Sequence, residues 1–547
     1  MNPESDFPSS IVSPPSTARS APDGARRDRL RGLLAGAVAA IAMLVTVIGL
    51  RALTGVISFL DVLADALLLL LPISAFSAML SVFGPQAKTL LLVGLIAVLI
   101  LIGALLGRKY AGQTAGSRRA QWAKASAYGI ALFAGMTIFT LFFVSGREPE
   151  LVAGSGILRV LASLGVAAIV FALVMAFGLM LLRRQDPAPR ASLRSGEIAA
   201  DSVNATGAPG TLDRRRLLTR VGFGVATLAG ATVLGREVAR VANRKTVTGG
   251  TTGELPPAIT SNGDFYVVSK NFIDPNPNRG DDWSIEVGGL GTKPFTLTRS
   301  DLQAMASPPF VSTLTCISNP IGGNLMSTAE WTGAPLAAVL RKAGVGAGAV
   351  KLICEGEDGY TDSFPIERAL SPEPHIVWEM NGVPLQKLHG TPVRLIVPGL
   401  YGIKNVKWLT KLTVTKEDYK GFWQQREWTD IGTVKASSRI DMPGDHAVIS
   451  AGPTEIGGVA FAGDRGIRAV EVSVDDGKTW KDASIVENPS PGGLSWVLWK
   501  MPWIPTSGAY QLVVRATDGM GDVQTKESAS ELPDGASGWH RITVGVA

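Results

Sequence analysis

The strongest constraint on this chain is a change of solvent along it. Four stretches among the first 185 residues are long and apolar enough to span a bilayer: 32–50, 89–107, 125–146 and 160–182. A span needs about 20 such residues. Backbone inside lipid must satisfy its own hydrogen bonds, so these stretches are committed to helix. After Gly249 the composition turns to aromatics, Pro, Asp and Asn-Gly turns, the pattern of a body folded in water. The 547 residues therefore divide into a membrane half and a globular half, and no internal repeat is visible in either.

Basic residues flank the spans in three clusters. The first is Arg26, Arg27, Arg29 and Arg31. The second is Arg108, Lys109, Arg118, Arg119 and Lys124. The third is Arg183, Arg184, Arg190 and Arg194. The formal net charge of +6 belongs to these flanks and not to nucleic-acid binding. The positive-inside rule puts all three on the cytoplasmic face, which requires an even number of crossings between them. Residues 66–87 are equally apolar, but contain Pro72 and follow Asp61 and Asp65. Parity holds if they do not cross, so residues 60–87 are expected as an outer re-entrant or interfacial segment. If they do cross, one basic cluster must lie outside.

Residues 1–30 read as a disordered N-terminus, 31–185 as a transmembrane helical domain, 186–212 as a linker and 213–240 as a last membrane anchor. The anchor opens with Asp213-Arg214-Arg215-Arg216-Leu217-Leu218-Thr219-Arg220, which resembles a twin-arginine export signal placed internally. The apolar run behind it, 221–235, is short and rich in Gly, Ala and Thr. The alternative is an ordinary basic flank on a short anchor helix. Both readings leave the rest of the chain outside. No small-x-small cleavage site stands out, so the anchor is expected to be retained. The expectation is a multi-pass cell-membrane protein with its globular half on the extracytoplasmic side. All four histidines (His375, His389, His446 and His540) lie in that globular half. The spans therefore lack paired haem ligands, and no haem is expected in this chain.

Residues 250–428 read as α+β. Strands are expected at 265–268, 283–287, 350–354 and 393–397, with a hairpin turn at Asn381-Gly382. A helix is expected at 335–343, opened by Pro335 and closed by Gly344. Residues 429–547 read as an all-β immunoglobulin-like sandwich. There Val470, Val472 and Val474 alternate on one face, Asp476-Gly477 turns the chain, and 478–480 returns it.

The two cysteines are Cys316 and Cys354. Outside the cytoplasm they can pair as a disulfide. The other reading starts from position. Cys316 follows an apolar run and opens a turn-rich break, Ile317-Ser318-Asn319-Pro320, where a thiolate can bind a soft or high-valent metal. With a single such sulfur, the remaining ligands come from outside the protein.

Several ordered segments carry a family resemblance: Tyr360-Thr361-Asp362-Ser363-Phe364-Pro365, Trp378-Glu379-Met380-Asn381-Gly382, His389-Gly390-Thr391-Pro392-Val393-Arg394-Leu395-Ile396-Val397-Pro398-Gly399 and Gly402-Ile403-Lys404-Asn405-Val406-Lys407-Trp408-Leu409, with Gly466-Ile467-Arg468 and 470–480 beyond them. From about Gly263 onward the chain resembles the sulfite oxidase family of molybdenum enzymes. The resemblance implies a Mo-molybdopterin cofactor, with Cys316 as the protein's sulfur ligand to the metal. It implies that Tyr360 is catalytic, an uncharged donor pointing at the metal. It implies cofactor contacts from Tyr266, Ser269 and Lys270, from Asp358 to the pterin ring, from a ring N–H of His389, and from Asn405 and Val406. Arg394 would meet the phosphate with a planar fork, and Lys407 with a point charge. Read alone, Arg394 is equally a buried salt-bridge partner, His389 a turn histidine, Tyr360 a packed aromatic and Cys354 a core thiol.

The implied reaction is a two-electron oxygen-atom transfer to or from a small molecule, served by a separate electron-transfer protein. A homodimer through residues 429–547 is also implied. Sulfite-oxidising members place arginines near the metal, yet neither Phe265-Tyr266-Val267-Val268-Ser269-Lys270-Asn271 nor the eight residues after Cys316 contain one. Lys270 and Lys404 are the cations left to compensate. The alternative is a sulfoxide or N-oxide reductase acting on a neutral substrate. A different class, a catalytically lapsed binding module, is opposed by the retained Cys316, Arg394 and Lys407.

Overall fold

The computed structural model describes residues 21–54, 58–72, 75, 79, 87–114, 118–145, 155–183, 232–236, 254–271, 274–275 and 283–547. The chain divides into two units, one of residues 1–64 and 90–238, the other of residues 65–89 and 239–547. The linker, the twin-arginine-like segment and most of 221–235 lie outside the described residues.

The helices of the apolar half are α1 (Ala21–Thr54), α2 (Phe59–Leu70), α3 (Ala87–Gln113), α4 (Arg118–Ser145) and α5 (Ser155–Arg183). All but α2 are long and apolar enough to cross a membrane. α2 has 12 residues. At 1.5 Å per residue it spans about 18 Å, short of a hydrocarbon core of about 30 Å. Its start is a reciprocal cap: the Asp61 N–H donates to Ser58 Oγ (3.3 Å) and the Ser58 N–H donates to Asp61 Oδ2 (2.9 Å). Arg51, at the end of α1, pairs with the same carboxylate. The acidic residue that marked this stretch in the sequence therefore builds a corner. Most of 73–86 lies outside the described residues.

α1 and α3 meet backbone to backbone. Gly32 and Gly36 on one helix face Gly103 and Gly107 on the other, each pair four residues apart. A methyl placed at Gly36 would fall onto the Gly103 carbonyl oxygen and lie 2.8 Å from the Gly107 Cα. This is how helices associate in lipid, where small residues let dispersion contacts replace the missing hydrophobic drive. At the same end of the bundle, Arg183 of α5 donates to both oxygens of Asp28 on α1 (2.9 and 2.5 Å). It also donates to the carbonyls of Ala111 and Thr114 (2.8 Å each), at the C-terminal end of α3. The first basic cluster, the second, and the Arg183 that opens the third thus share one end of the bundle.

In the globular unit one sheet runs β2-β1-β10-β5-β6, from β1 (Ser284–Gly289), β2 (Phe295–Thr298), β5 (Lys351–Gly356), β6 (Thr361–Pro365) and β10 (Leu409–Thr415). A second runs β3-β4-β7-β8, from β3 (Phe310–Thr315), β4 (Met326–Pro335), β7 (His375–Met380) and β8 (Val383–Pro384), with β9 (Arg394–Ile396) also on β7. The helices α6 (Arg299–Gln303), α7 (Leu336–Ala343) and α8 (Ile366–Leu370) accompany them. α7 follows Pro335 and stops at Gly344, φ +74°, as its sequence demands. Ile285, Leu297, Leu340, Leu352, Phe364 and Leu412 lie in one core, and Cys354 is fully buried among them. The strand expected at 265–268 does not form. The Tyr266 N–H donates to the Ser327 hydroxyl (3.1 Å) in place of a ladder partner.

Residues 429–547 form an eight-stranded sheet ordered β11-β13-β16-β15-β14-β17-β18-β12. Its strands are β11 (Ser437–Met442), β12 (Val448–Ile449), β13 (Thr454–Phe461), β14 (Ile467–Ser473), β15 (Lys481–Glu487), β16 (Val497–Trp503), β17 (Gly508–Asp518) and β18 (His540–Val546). β15 pairs with β14 along its first residues and with β16 beyond them, so the hydrogen bonding is continuous where two separate sheets were expected. The sheet folds over one core of Ile440, Ile456, Val470, Val472, Trp499, Leu512, Val514 and Val544, with Val474 packed at its margin. The returning strand begins at Lys481 and not at 478. Asp475 explains the delay: its carboxylate accepts from the Lys478 and Thr479 N–H groups (3.1 and 2.9 Å) and holds them in the turn.

Gly36→Leu is expected to separate α1 from α3 and to destabilise the apolar half in detergent by about 1–3 kcal/mol, read as a lower thermal midpoint. Gly94→Leu, where an added methyl meets nothing within 4 Å, should leave the midpoint unchanged.

Candidate active site

An open cleft of about 740 Å³ lies in the globular unit. Tyr266, Ser269, Lys270, Cys316, Asp358, Tyr360, His389, Arg394, Asn405, Val406 and Lys407 all line it, so every site residue proposed from the sequence converges on one place.

Cys316 sits just past the end of β3. Its N–H donates to the Leu325 carbonyl (2.9 Å) and its carbonyl accepts from the Asn319 N–H (3.0 Å). The Asn319 side chain accepts from the Leu325 N–H (2.8 Å), which closes the loop on itself. The thiol lies 3.0 Å from the Ser318 hydroxyl. Neither Cys316 nor Cys354 is in a disulfide, which removes the disulfide reading. Cys354 points into the core, where burial and the Asp362 charge push its thiol well up and leave it inert.

Arg394 is buried, and among the described residues no carboxylate pairs with it. Its terminal nitrogens donate to the carbonyls of His389 (3.1 Å) and Asn405 (3.3 Å). Its Nε is buried without a partner, and the Trp331 ring covers the guanidinium at 5.5 Å. Burial lowers it to about 10. The salt-bridge reading therefore fails: this cation lacks an anion. Lys407 is its neighbour across Gly390, where an added methyl would lie 3.0–3.1 Å from both side chains. Lys407 donates to the carbonyls of Val268 (3.2 Å) and Leu388 (3.3 Å) and lies over the Trp408 ring. Two cations beside an open cleft suit a phosphate.

His389 departs from the expected role. Its Nε2–H donates to the Asn262 carbonyl (2.8 Å), so the neutral ring keeps no second N–H for a cofactor. Burial, then Arg394 and Lys407, lower it to about 4, and its Nδ1 is left as an acceptor. Lys270 is matched internally. It donates to the Asp358 carbonyl (2.8 Å) and Asn271 Oδ1 (2.9 Å), with the Asp358 carboxylate at 4.0 Å. Asp358 itself accepts from Asn271 Nδ2 (2.8 Å) and from the Tyr360 N–H (3.1 Å).

The Tyr360 hydroxyl has Asp362 Oδ2 (2.9 Å) and the Ile403 carbonyl (2.7 Å) as acceptors. Its proton is thus directed behind the cleft, where an outward donor was expected. Lys404 completes this arrangement. It is fully buried and donates to Asp362 Oδ1 (2.7 Å) and the Ser363 carbonyl (2.8 Å). The 3₁₀ turn Gly402–Lys404 carries its side chain away from the cleft, so it does not supply the substrate cation expected of it. Burial raises Asp362, and the Lys404 ammonium opposes the rise.

Sequence reasoning assigned no role to Trp423, Leu314 or Ile403, which give the cleft its apolar lining. It also left out Asn271, which links Lys270 to Asp358. Gly402 carried a signal, since it stands in the motif that was recognised. A methyl there would lie 2.8 Å from the Tyr266 hydroxyl, so a larger residue would have to displace that ring.

Among the described residues no group of three or more His, Cys, Asp or Glu could hold a metal. Cys316 is a lone protein ligand, and the uncompensated Arg394 asks for an anionic group. Both fit a metal carried on a phosphorylated cofactor.

Residues 273–423 match the oxidoreductase molybdopterin-binding domain, and residues 429–547 the Mo-co oxidoreductase dimerisation domain. Mitochondrial sulfite oxidase of Mus musculus is 31% identical over 309 residues, 48% of this chain and 57% of that protein. The Homo sapiens enzyme is 31% identical over 349 residues, 51% of this chain and 63% of that protein. Sulfite oxidase of Arabidopsis thaliana is 29% identical over 323 residues, 48% of this chain and 82% of that protein. The match thus spans about six tenths of the mammalian relatives' length.

Asp362→Leu alone strands a buried ammonium and is expected to cost about 3–5 kcal/mol. Adding Lys404→Met should recover most of that loss, as read from denaturant midpoints. Acid should act through the histidines. His389 and His540 are held to about 4 by burial, whereas an unfolded histidine protonates near 6.5. The unfolded chain therefore binds more protons as pH falls through that window, and stability declines with it. Replacing both histidines by Gln should flatten the decline between about pH 6.5 and 5.

Proposed function

We propose that this member of the sulfite oxidase family of molybdopterin oxidoreductases is a membrane-anchored enzyme that transfers an oxygen atom and two electrons outside the cytoplasm. The observation that carries the reading is the pairing, in one cleft, of a Cys316 thiol outside any disulfide with a buried Arg394 that, among the described residues, no carboxylate neutralises. Bound there, Mo-molybdopterin would supply the two-electron chemistry. Cys316 would hold the metal. Arg394 and Lys407 would hold the phosphate, with Asn405 and Val406 beside them. Tyr266, Ser269, Lys270, Asp358 and His389 would line the pterin, His389 as an acceptor. Tyr360 would face the substrate with its lone pair, its proton already committed to Asp362 or Ile403.

The membrane helices serve as the anchor. Basic clusters at one end of the bundle support a cytoplasmic face there, with the globular unit on the other side of the membrane. A separate protein would carry the electrons, and residues 429–547, read as an immunoglobulin-type sandwich, would pair two copies of the chain.

A second reading, a sulfoxide or N-oxide reductase, is favoured by one observation. Lys404 is turned inward and Lys270 is matched by Asp358, so neither offers an uncommitted charge to an oxyanion. A neutral substrate suits such a cleft better than sulfite.

Cys316→Ser is expected to keep the fold and lose nearly all activity, and full activity would rule out metal–thiolate chemistry. Arg394→Ala should lose the pterin, measured as molybdenum per chain. Stoichiometric molybdenum in the wild type supports the enzyme, and a metal-free protein supports the lapsed binding module. Assaying sulfite, sulfoxides and N-oxides with an artificial electron carrier then fixes substrate and direction.

A further inference from the structure

The loop that carries Cys316 is held from behind by the C-terminal sheet. Thr313, three residues before the thiol, donates its N–H to the Leu494 carbonyl (3.0 Å), and its hydroxyl accepts from the Trp496 N–H (2.8 Å). Ile317, directly after the thiol, packs among Val459, Phe461, Trp496 and Leu498. Farther around the loop, Arg439 of β11 donates to the Gly323 carbonyl (2.7 Å) while Asp441 holds its Nε (2.8 Å). His540, at the start of β18, lies against Gly322, where φ is +74° and an added methyl would overlap the ring. The His540 Nδ1 accepts from the Ile440 N–H (3.0 Å), so the neighbour of Arg439 fixes the imidazole. The loop's own hydrogen bonds close its base and the Pro320–Gly323 turn, while its two adjacent glycines leave the tip intrinsically pliant. Its stiffness comes from the side opposite the cleft.

We infer that Arg439 and His540 are positioning residues for Cys316: by clamping Gly322 and Gly323 they fix the thiol in the cleft and couple the C-terminal domain to the metal-ligand site. The domain matched as a dimerisation domain thereby completes the site of its own chain. The consequence for catalysis rests on the proposed role of Cys316, but the position of the thiol is measurable without any cofactor.

The test uses full-length, cofactor-free protein in detergent. A neutral maleimide is added, and alkylation of Cys316 and Cys354 is followed separately by peptide mass spectrometry. Arg439→Met with Asp441→Leu opens the clamp without stranding a buried carboxylate. Gly322→Ala displaces His540 independently. Val544→Ala, a core truncation in the same sheet, controls for general loosening. Both clamp variants are expected to alkylate Cys316 about tenfold faster than wild type, with Cys354 still protected. Arg439→Lys should lie close to wild type. An unchanged Cys316 rate in either folded clamp variant, or equal acceleration in Val544→Ala, overturns the inference. If the paired variant unfolds, seen as Cys354 labelling, Gly322→Ala alone decides. Molybdenum content is read separately on protein from cofactor-producing cells. A metal-free wild type would sink the proposed function and leave the clamp intact.

Discussion

The globular half is organised around a guanidinium buried without a carboxylate. Taking a cation from water into a protein interior costs several kcal/mol unless something answers it. Around Arg394 the chain supplies only two carbonyls and the face of Trp331, and one N–H is left unanswered. Such a group is tolerable if an anion from outside completes it. The rest of the cleft follows the same logic: Lys407 stands beside Arg394, and the other nearby charges are neutralised within the protein.

That internal neutralisation separates two kinds of charge. Lys404 and Asp362 cancel each other behind Tyr360, and Lys270 lies against Asp358. Arg394 is the buried cation that, among the described residues, no carboxylate answers. The distinction matters for chemistry, because a cation already hydrogen-bonded to a carboxylate contributes little attraction for an incoming oxyanion. Of the four basic residues in or behind the cleft walls, Lys270 and Lys404 are therefore the two matched by carboxylates.

Much of this was legible in the chain. The four long apolar helices followed from length and hydropathy alone. α7 was readable from Pro335 and Gly344, whose backbone preferences act locally. The residues that line the cleft were named from the sequence together, and Tyr360, His389, Arg394, Asn405, Val406 and Lys407 among them fall in the ordered motifs. What those residues do was less legible. His389, Lys404 and Tyr360 were each assigned a chemistry that belongs to their type, and each turned out to be committed to a partner distant in sequence: Asn262, Asp362 and Ile403.

The sequence by itself determined which segments form long apolar helices, where the α+β and all-β parts begin, and which residues gather at the cleft. These depend on local quantities: runs of apolar side chains, turn chemistry and motif order. Tertiary structure alone decided the direction of each donor and the charge left over after pairing. It also decided that the loop holding Cys316 leans on Arg439 and His540, more than a hundred residues away. The physical reason is that a hydrogen bond or ion pair depends on ångström-scale placement of two groups, and for these residues the second group is brought in by the fold.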